Sequence, residues 1–348
     1  MLRIETRGTP AERGEQQGRL ARPLALPWMV RTLDGLCRSL GVGSPEELVR
    51  RHRGDLDRWR RQTEAVFPEG VVEYAGLARG LGVEEEAYLA VAFHHRLSGS
   101  LPQCTVVGAT DADGEPVFGK TDDIEAPNLG MNLLEVTRPE CGLKHLHLHF
   151  AGTPWSVAGI NEAGFAMGMT GIPGPTKEEP GVFSLLALHT ILPACASVGE
   201  AVDHLSSLQV NAYGFSLMVA DAAGDLALIE KSGAGMAVMR PAEPPHLAHT
   251  NHILDPALAA ACPEQVEPLR TNGIRRLRRA TELLAAEREI GEILRDRSDL
   301  GAICQRGEDG LHTDFAICFH PSRRTATLWP GYPDATPGEE LRVPAMLA

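Results

Sequence analysis

The chain has 348 residues and a formal net charge of −13, with 43% hydrophobic and 23% charged residues. This composition is typical of a globular protein, and the acidic balance argues against nucleic acid as a partner because phosphate binding requires a basic surface. The sequence has no apolar run of the length that a membrane span requires. The N-terminus does not resemble a signal peptide, and the seven cysteines form no CxxC pair. We therefore expect a cytoplasmic protein with reduced thiols.

The first 103 residues are predicted to form a helical leader. Apolar residues recur at helical spacing from Gly14 to Leu40, and Ser44-Pro45 begins a second helix that runs to about Phe67. Two further helices are expected over Gly70–Gly80 and Glu84–His95. Residues 104–348 are then predicted to form a second, longer region of strands and helices.

The pattern changes to strands after Pro102. Strands are predicted over Cys104–Thr110 and Pro116–Lys120, with a hairpin at Asp111–Gly114 between them. Further strands are predicted over Asn132–Thr137, His145–Phe150, Phe165–Thr170, Phe215–Ala220, Leu226–Glu230, Ala237–Arg240, His312–Phe319 and Thr325–Trp329, and helices over Phe183–Leu192, Val198–Leu208 and Leu269–Arg288. The last helix has a basic face (Arg270, Arg275, Arg276, Arg278, Arg279), which we interpret as a solvated surface. Hairpins and helices that are grouped, not strictly alternating, favour the α+β class with antiparallel sheets.

One cysteine lies where a thiol could be presented for chemistry. Cys104 is the first residue of a predicted strand and directly follows a loop. A thiol at the start of a new chain would have its own α-amine as a base, since that amine has a pKa of roughly 7.7–8.0. The amide of Asn251 is the best side-chain donor for an oxyanion, because an amide donates without a pKa near neutrality.

Several motifs, in order along the chain, resemble one known family. They are Gly14-Glu15-Gln16-Gln17-Gly18, Tyr74-Ala75-Gly76-Leu77-Ala78-Arg79-Gly80-Leu81-Gly82-Val83, Cys104-Thr105, Gly119-Lys120-Thr121-Asp122-Asp123, Gly159-Ile160-Asn161-Glu162-Ala163-Gly164-Phe165-Ala166 and His249-Thr250-Asn251-His252. Together they resemble the acyl-CoA:6-aminopenicillanic acid acyltransferase-like family of N-terminal nucleophile (Ntn) hydrolases. The resemblance covers nearly the whole chain and implies a four-layer αββα sandwich of antiparallel sheets, preceded by the helical leader. It also implies that residues 104–348 are the catalytic region.

The resemblance also implies a mechanism and a set of catalytic residues. It implies self-cleavage between Gln103 and Cys104, after which Cys104 is the N-terminal nucleophile and the leader stays packed as a partner. Asp122, 18 residues after Cys104, would hold or orient the α-ammonium, and Asn251 would stabilise the oxyanion. Hydrolysis of a linear amide in a small N-acyl or peptide-like substrate, through a Cys104 thioester and without a cofactor, is the expected reaction.

The chain departs from the family pattern at two places. The family arginine after an Ile-Cys pair is replaced by Gln305, with Arg306 one residue later. Either Arg306 takes the catalytic role through a shifted register, or the role is lost. Lys120-Thr121 stands where the family has Arg-Asn, which predicts altered substrate contacts. Thr121 and Thr170 are the predicted substrate-binding residues.

Three alternatives remain open. The acyl group could pass from a thioester or amide donor to an amine instead of water. His145, His147 and His149 alternate along one strand and therefore share a face, so they could bind a catalytic zinc with His249 or His252 as a fourth ligand. The chain could also be an inactive relative of the family. Either a monomer or an oligomer is compatible with the sequence.

Overall fold

The computed structural model describes residues 1–93, 103–175, 181–211, 213–242, 245–263, 267–298 and 301–348. Its helices are α1 (Pro10–Leu40), α2 (Pro45–Val66), α3 (Pro68–Leu81), α4 (Glu85–Ala92), α5 (Ser184–His189), α6 (Ile191–Ala194), α7 (Val198–Ser207), α8 (Pro256–Ala261), α9 (Leu269–Ala285), α10 (Ile290–Ile293) and α11 (Val343–Leu347). Its strands are β1 (Leu2–Gly8), β2 (Gln103–Thr110), β3 (Pro116–Glu125), β4 (Asn132–Pro139), β5 (His145–Phe150), β6 (Ala158–Asn161), β7 (Ala166–Ile172), β8 (Val182–Phe183), β9 (Val210–Asn211), β10 (Gly214–Ala220), β11 (Leu226–Ser232), β12 (Gly235–Met239), β13 (His246–His249), β14 (Leu311–His320), β15 (Thr325–Pro330) and β16 (Glu339–Arg342).

Two stacked sheets form the centre of the fold. The larger sheet has the strand order β1-β4-β5-β6-β7-β10-β11-β12, and the smaller one has the order β13-β2-β3-β14-β15-β16. Strands β2 and β3 face β7 and β10 across the sandwich, where Phe118, Phe319, Met167 and Met218 belong to one buried cluster. Every pair within the two sheets is antiparallel except β1 with β4.

Helices cover the outer faces of both sheets. α9 and α10 lie against β2, β13 and β3, while α5, α6 and α7 contact β10, β6 and β11 of the other sheet. The predicted α+β class and αββα layering are confirmed. None of the described helices combines the length and the apolarity needed to cross a bilayer.

The leader contains a strand that was not predicted. β1 pairs in parallel with β4 at the edge of the larger sheet, and Ile4 and Thr6 on it are buried. The helices of the leader follow the predicted spans closely, although the predicted end of the fourth helix at His95 lies outside the described residues. Thr9 begins α1 with a capping box, in which Glu12 bonds back to the Thr9 amide.

Helices α1 and α3 pack backbone against backbone. A Cβ on Gly18 would lie 2.5 Å from the Leu77 carbonyl oxygen, and one on Gly80 would lie 2.3 Å from the Glu15 carbonyl oxygen. Both distances are shorter than van der Waals contact, so only glycine permits this approach. The two glycine motifs noted in the sequence are thus the two sides of one helix–helix contact.

Candidate active site

Strand pairing brings Cys104 close to the motif residues on two neighbouring strands. In the antiparallel pair of β2 and β3, Cys104 lies opposite Asp122. On the other side, β13 pairs with β2 and ends at His249, which lies opposite Val106. Asn251 follows two residues after that strand end and therefore reaches the Cys104 backbone.

Cys104 is fully buried, and its amide nitrogen and its sulfur both make close polar contacts. Its amide nitrogen donates to Asn251 Oδ1 at 3.1 Å, and its Sγ lies 3.5 Å from Asp122 Oδ1. Lys120 Nζ lies 3.3 Å from the same sulfur. Burial, together with Asp122 and Asp123, raises the pKa of the Cys104 thiol to about 12, although Lys120 acts in the opposite direction. In the uncleaved chain the sulfur is therefore a thiol that needs a base.

A buried ion pair lies beside the sulfur. Lys120 Nζ donates to Asp122 Oδ1 at 2.7 Å, and Asn132 Nδ2 donates to Asp122 Oδ2 at 2.9 Å. Burial disfavours the ammonium, but the charges of Asp122 and Cys104 outweigh it and raise the pKa of Lys120. Lys120, which the sequence analysis assigned to altered substrate contacts, thus places a positive charge directly against the nucleophile.

Arg276 is a site residue that the sequence analysis missed. Its guanidinium bonds the Cys104 carbonyl oxygen, donates to Thr105 Oγ1 at 2.8 Å and donates to Asn251 Oδ1 at 2.9 Å. It also lies 3.6 Å from Asp123. The prediction of a solvated basic face on α9 is wrong at this position, because Arg276 is fully buried.

The spacing along α9 contained the signal for this burial. Asn272, Arg276, Ala280 and Leu284 recur at intervals of four and are all buried. Residues four apart lie on the same side of a helix. Arg276 therefore belongs to the inward stripe, while Arg275 and Arg278 are exposed.

In the described part of the chain, the Arg306 side chain does not contact Cys104. Its side chain lies at the surface, donates to Asp334 at 2.7 Å and stacks over Tyr332. Gln305 is buried and accepts a bond from Asn272 Nδ2 at 2.9 Å, and Asn272 in turn accepts from Arg276 Nε at 2.6 Å. The structure therefore does not place Arg306 at Cys104; the guanidinium that lies there is that of Arg276, which is hydrogen-bonded through Asn272 to Gln305.

The remaining predicted residues are buried and bonded within the protein. Thr121 Oγ1 accepts from the Thr105 amide at 3.2 Å and donates to Asp123, while Thr170 Oγ1 lies 3.0 Å from His249 Nδ1. Both threonines therefore orient neighbouring site residues in this state. Their role as substrate-binding residues stays a prediction.

The three histidines of β5 do not assemble with the predicted fourth ligand. His249, the last residue of β13, has its Nε2 2.8 Å from Glu230 Oε1 on β11. Burial acts to raise the pKa of Glu230, yet the bonds from His249 and two backbone amides hold it below its usual value. The described groups that converge on one point are instead Glu135, His147 and His149. Within the described part of the chain no such group includes His145, His249 or His252, so the predicted grouping of the three β5 histidines with His249 or His252 is wrong.

Comparisons with known proteins give one family match. The model of the family described as acyl-coenzyme A:6-aminopenicillanic acid acyl-transferase matches residues 110–335, which is more than half of the chain. The match includes Asp122, Asn251 and Arg276 and begins six residues after Cys104. A comparison with curated protein sequences gives no significant match.

Solved structures with similar folds have low sequence identity. Conjugated bile acid hydrolase from Clostridium perfringens is 13% identical with a TM-score of 0.47, over 70% of this chain and 94% of that one. Penicillin V acylase from Agrobacterium tumefaciens is 14% identical with a TM-score of 0.46, over 68% and 84%. The Caenorhabditis elegans ortholog of N-acylethanolamine-hydrolyzing acid amidase is 14% identical with a TM-score of 0.43, over 63% and 93%.

Proposed function

Because the chain belongs to the acyl-coenzyme A:6-aminopenicillanic acid acyl-transferase family, whose members are Ntn amide hydrolases and acyltransferases, we propose that it is a self-processing cysteine amidohydrolase. It cleaves the linear C–N amide of a small N-acyl or peptide-like substrate through a thioester at Cys104. The observation that carries the proposal is the convergence of Asn251, Lys120 and Arg276 on one buried cysteine at the start of a strand.

The first step of this proposal is cleavage of the chain itself. Asp122 Oδ1, 3.5 Å from the sulfur, takes the thiol proton, and the Lys120 ammonium stabilises the resulting thiolate. Sγ attacks the carbonyl carbon of Gln103, the C–N bond breaks, and the Cys104 nitrogen takes a proton. Water then hydrolyses the thioester to a Gln103 carboxylate and a free Cys104 amine and thiol.

The second step is turnover of the substrate. The new α-amine has an ordinary pKa of roughly 7.7–8.0, so at neutral pH it can accept the thiol proton. Sγ attacks the substrate carbonyl, the amine product leaves with that proton, and water releases the acid. In this scheme the Asn251 amide donates to the tetrahedral oxyanion, which stabilises the transition state by about 3 kcal/mol. The bonds that Arg276 makes to Asn251 and Cys104 support their placement.

Transfer of the acyl group to an amine is the second candidate. The description of the family, which names an acyl-transferase, favours it. A hydrolase and a transferase share the same thioester and differ in the acceptor. Adding a free amine during turnover distinguishes them, since only a transferase converts most of the thioester to a new amide.

The cellular setting and the partner follow from the same proposal. All seven cysteines are free thiols, which supports a reducing, cytoplasmic location. The cleaved leader is the proposed partner of the catalytic region, and a small amide or acyl donor is the proposed ligand.

Intact mass spectrometry of the purified protein tests the proposal. Cleavage predicts fragments of 103 and 245 residues, about 11 and 26 kDa by proportion of the 37.5 kDa chain. The Cys104→Ala variant is expected to stay whole, while Cys195→Ala, which removes another buried thiol, is expected to cleave normally. A wild-type protein that stays whole contradicts self-processing, and a Cys104→Ala protein that keeps amidase activity contradicts the nucleophile.

A further inference from the structure

A buried pair of Glu230 and His249 lies at the base of the loop that carries Asn251. Glu230 is on β11 of the larger sheet, and His249 is the last residue of β13 in the smaller sheet. Both side chains are fully buried, and His249 Nε2 lies 2.8 Å from Glu230 Oε1. His249 belongs to the same sequence motif as Asn251, yet the mechanism proposed above uses neither member of the pair. Because the burial of two ionisable groups costs free energy, stability alone does not explain their presence.

Glu230 holds the far end of the loop. Its Oε1 accepts a hydrogen bond from the Leu254 amide at 2.6 Å, and its Oε2 accepts one from the Asp255 amide at 2.9 Å. Both bonds have a charged acceptor and belong to the stronger class of hydrogen bonds. A shift of this end of the loop would leave a buried carboxylate without these partners, which costs free energy. Residues 254 and 255 are therefore fixed to the larger sheet.

His249 holds the near end of the loop. Its Nδ1 lies 2.7 Å from the Thr250 carbonyl oxygen and 3.0 Å from Thr170 Oγ1. A lone pair on Nδ1 would be repelled by the Thr250 oxygen, and a lone pair on Nε2 would be repelled by the Glu230 carboxylate, so the contacts assign a hydrogen to each ring nitrogen. The Thr170 hydroxyl can accept as well as donate and is compatible with this assignment. The ring is thus an imidazolium whose charge Glu230 balances.

The loop between these two ends places the Asn251 amide at the nucleophile. Asn251 Oδ1 accepts from the Cys104 amide at 3.1 Å and from Arg276 at 2.9 Å. Asn251 Nδ2 donates to the Gly171 carbonyl oxygen at 2.9 Å. In the uncleaved chain, the Cys104 amide belongs to the bond that self-cleavage would break. An error of about 1 Å in the placement of such a group can lower a rate about 100-fold.

The two histidines of the motif differ in what they contact. His252 Nδ1 lies 3.2 Å from Thr250 Oγ1, within the loop itself. Burial and then the charge of His249 lower the pKa of His252 to about 4, so this ring is neutral at pH 7. His249 instead links the loop to Glu230 on the other sheet.

We propose that Glu230 and His249 act as positioning residues for Asn251. The pair holds both ends of the 250–255 loop, and the loop holds the Asn251 amide against Cys104. This inference rests on the proposed function, in which Asn251 stabilises the oxyanion. It adds that the amide is placed from the larger sheet, through the backbone of the loop.

Self-cleavage of the full-length protein, followed by intact mass over time, tests the effect on the reaction. Glu230→Gln keeps the size of the side chain but turns an NH₂ group toward one of the two loop amides, so we expect cleavage to be about 100-fold slower. Glu135→Gln is the matched control, because it breaks another buried Glu–His contact of the same sheet, in which Glu135 lies 2.8 Å from His149. The control is expected to cleave at a rate close to that of the wild type. Cleavage of Glu230→Gln at the wild-type rate, or equal slowing in both variants, would overturn the proposal.

NMR spectroscopy reports the Asn251 amide itself, in a Cys104→Ala background that does not depend on cleavage. The protein is labelled with ¹⁵N-asparagine, and the side-chain amide signal of Asn251 is assigned by its loss in Asn251→Ala. We expect Glu230→Gln to shift this signal and Glu135→Gln to leave it in place. A signal that does not move in Glu230→Gln overturns the proposal.

The two measurements separate this proposal from the proposed function. A wild-type protein that stays whole contradicts self-processing, and the NMR signal then tests the placement of Asn251 by itself. If Glu230→Gln does not fold, Glu230→Asp replaces it in both measurements with the same expected directions. Glu230→Asp keeps the charge but is too short to reach the loop amides and His249 together, so normal cleavage and an unmoved signal in this variant would also overturn the proposal.

Discussion

At the residue scale, the guanidinium group of Arg276 bonds three oxygen atoms of the site. It bonds the Cys104 carbonyl, Thr105 Oγ1 and Asn251 Oδ1 at once. A lysine keeps the charge, but its compact ammonium group cannot reach all three oxygens as the planar guanidinium does. Arg276→Lys is expected to lower kcat/KM about 100-fold. Arg278→Lys on the exposed face of the same helix is the control, and equal rates for both variants would contradict the positioning role.

In the proposed mechanism, the charge of Lys120 stabilises the Cys104 thiolate. Lys120→Arg keeps a cation against Cys104 Sγ and Asp122, so self-cleavage is expected to persist, within about 10-fold of the wild-type rate. Lys120→Met leaves the buried Asp122 without its cation, and cleavage is expected to stop. Intact mass measured over time gives both rates, with Lys144→Met as a control at a partly exposed lysine. Normal cleavage in Lys120→Met would show that the cation is not needed.

The raised pKa of the buried Asp123 carboxyl makes the free energy of unfolding depend on pH. Burial raises the pKa of its carboxyl to about 6, although Arg276 and Thr313 act to lower it. The folded state thus binds the proton more tightly than the unfolded chain, in which the pKa is about 3.9. This contribution to stability is complete below pH 4 and is lost as the pH rises to about 6, a change of about 3 kcal/mol.

Asp123→Asn removes that proton site. Free energies of unfolding from urea denaturation at pH 4, 5, 6 and 7 are expected to fall between pH 4 and 6 more steeply for the wild type than for the variant. Because both proteins share every other carboxyl group, the difference between the two profiles isolates Asp123. Parallel profiles would mean that the carboxyl titrates near its ordinary pKa.

Sequence motifs were sufficient to predict part of the candidate active site, whereas the position of Arg276 depends on how α9 packs against the sheet. Cys104, Asp122 and Asn251 each lie in a short motif with recognisable spacing, and the structure brings them together. Arg276 lies in no motif, and its role depends on which side of α9 faces the sheet. Arg306 shows the opposite case, in which a residue close to a motif lies outside the site. Gln305 is buried, whereas Arg306, one residue later, is exposed to solvent.

At the element scale, long segments were easier to predict than short ones. The leader helices are periodic over many residues, so their positions follow from the sequence. β1 alternates over only seven residues, and its pairing with β4 joins segments about 130 residues apart, as Leu2 and Leu133 are partners. No local pattern specifies such a long-range pair, and β1 was therefore missed.

The close contact between α1 and α3 leads to a prediction about the free energy of unfolding. Gly80→Ala places a methyl group 2.3 Å from the Glu15 carbonyl, so the helices must separate. We expect a loss of about 3 kcal/mol in the free energy of unfolding, in the range found for overpacked cores. Gly35→Ala in α1 meets nothing within 4 Å and is expected to stabilise the protein by about 0.5–1 kcal/mol. Thermal and urea denaturation measure both, and equal effects would contradict the close contact.

At the scale of the whole molecule, the leader and the catalytic region share one core. β1 forms the edge of a sheet whose other strands all come from residues after 103. Glu73 on α3 of the leader lies 2.9 Å from His189 on α5, across the boundary between the two fragments, and also accepts a bond from Arg13 within the leader at 3.0 Å. A cleaved peptide bond at Gln103 would leave all of these contacts in place.

The two fragments are therefore expected to stay associated after cleavage. Size-exclusion chromatography of the processed protein should give one peak that contains both, and the leader should separate only in urea. Glu73→Gln removes the carboxylate that faces His189 of the other fragment and leaves the buried Arg13 of the leader without its anion, so the leader should dissociate at a lower urea concentration. Glu69→Gln, on an exposed position of the same helix, should not change that concentration. Fragments that separate without denaturant would show that the leader is released and does not remain a subunit.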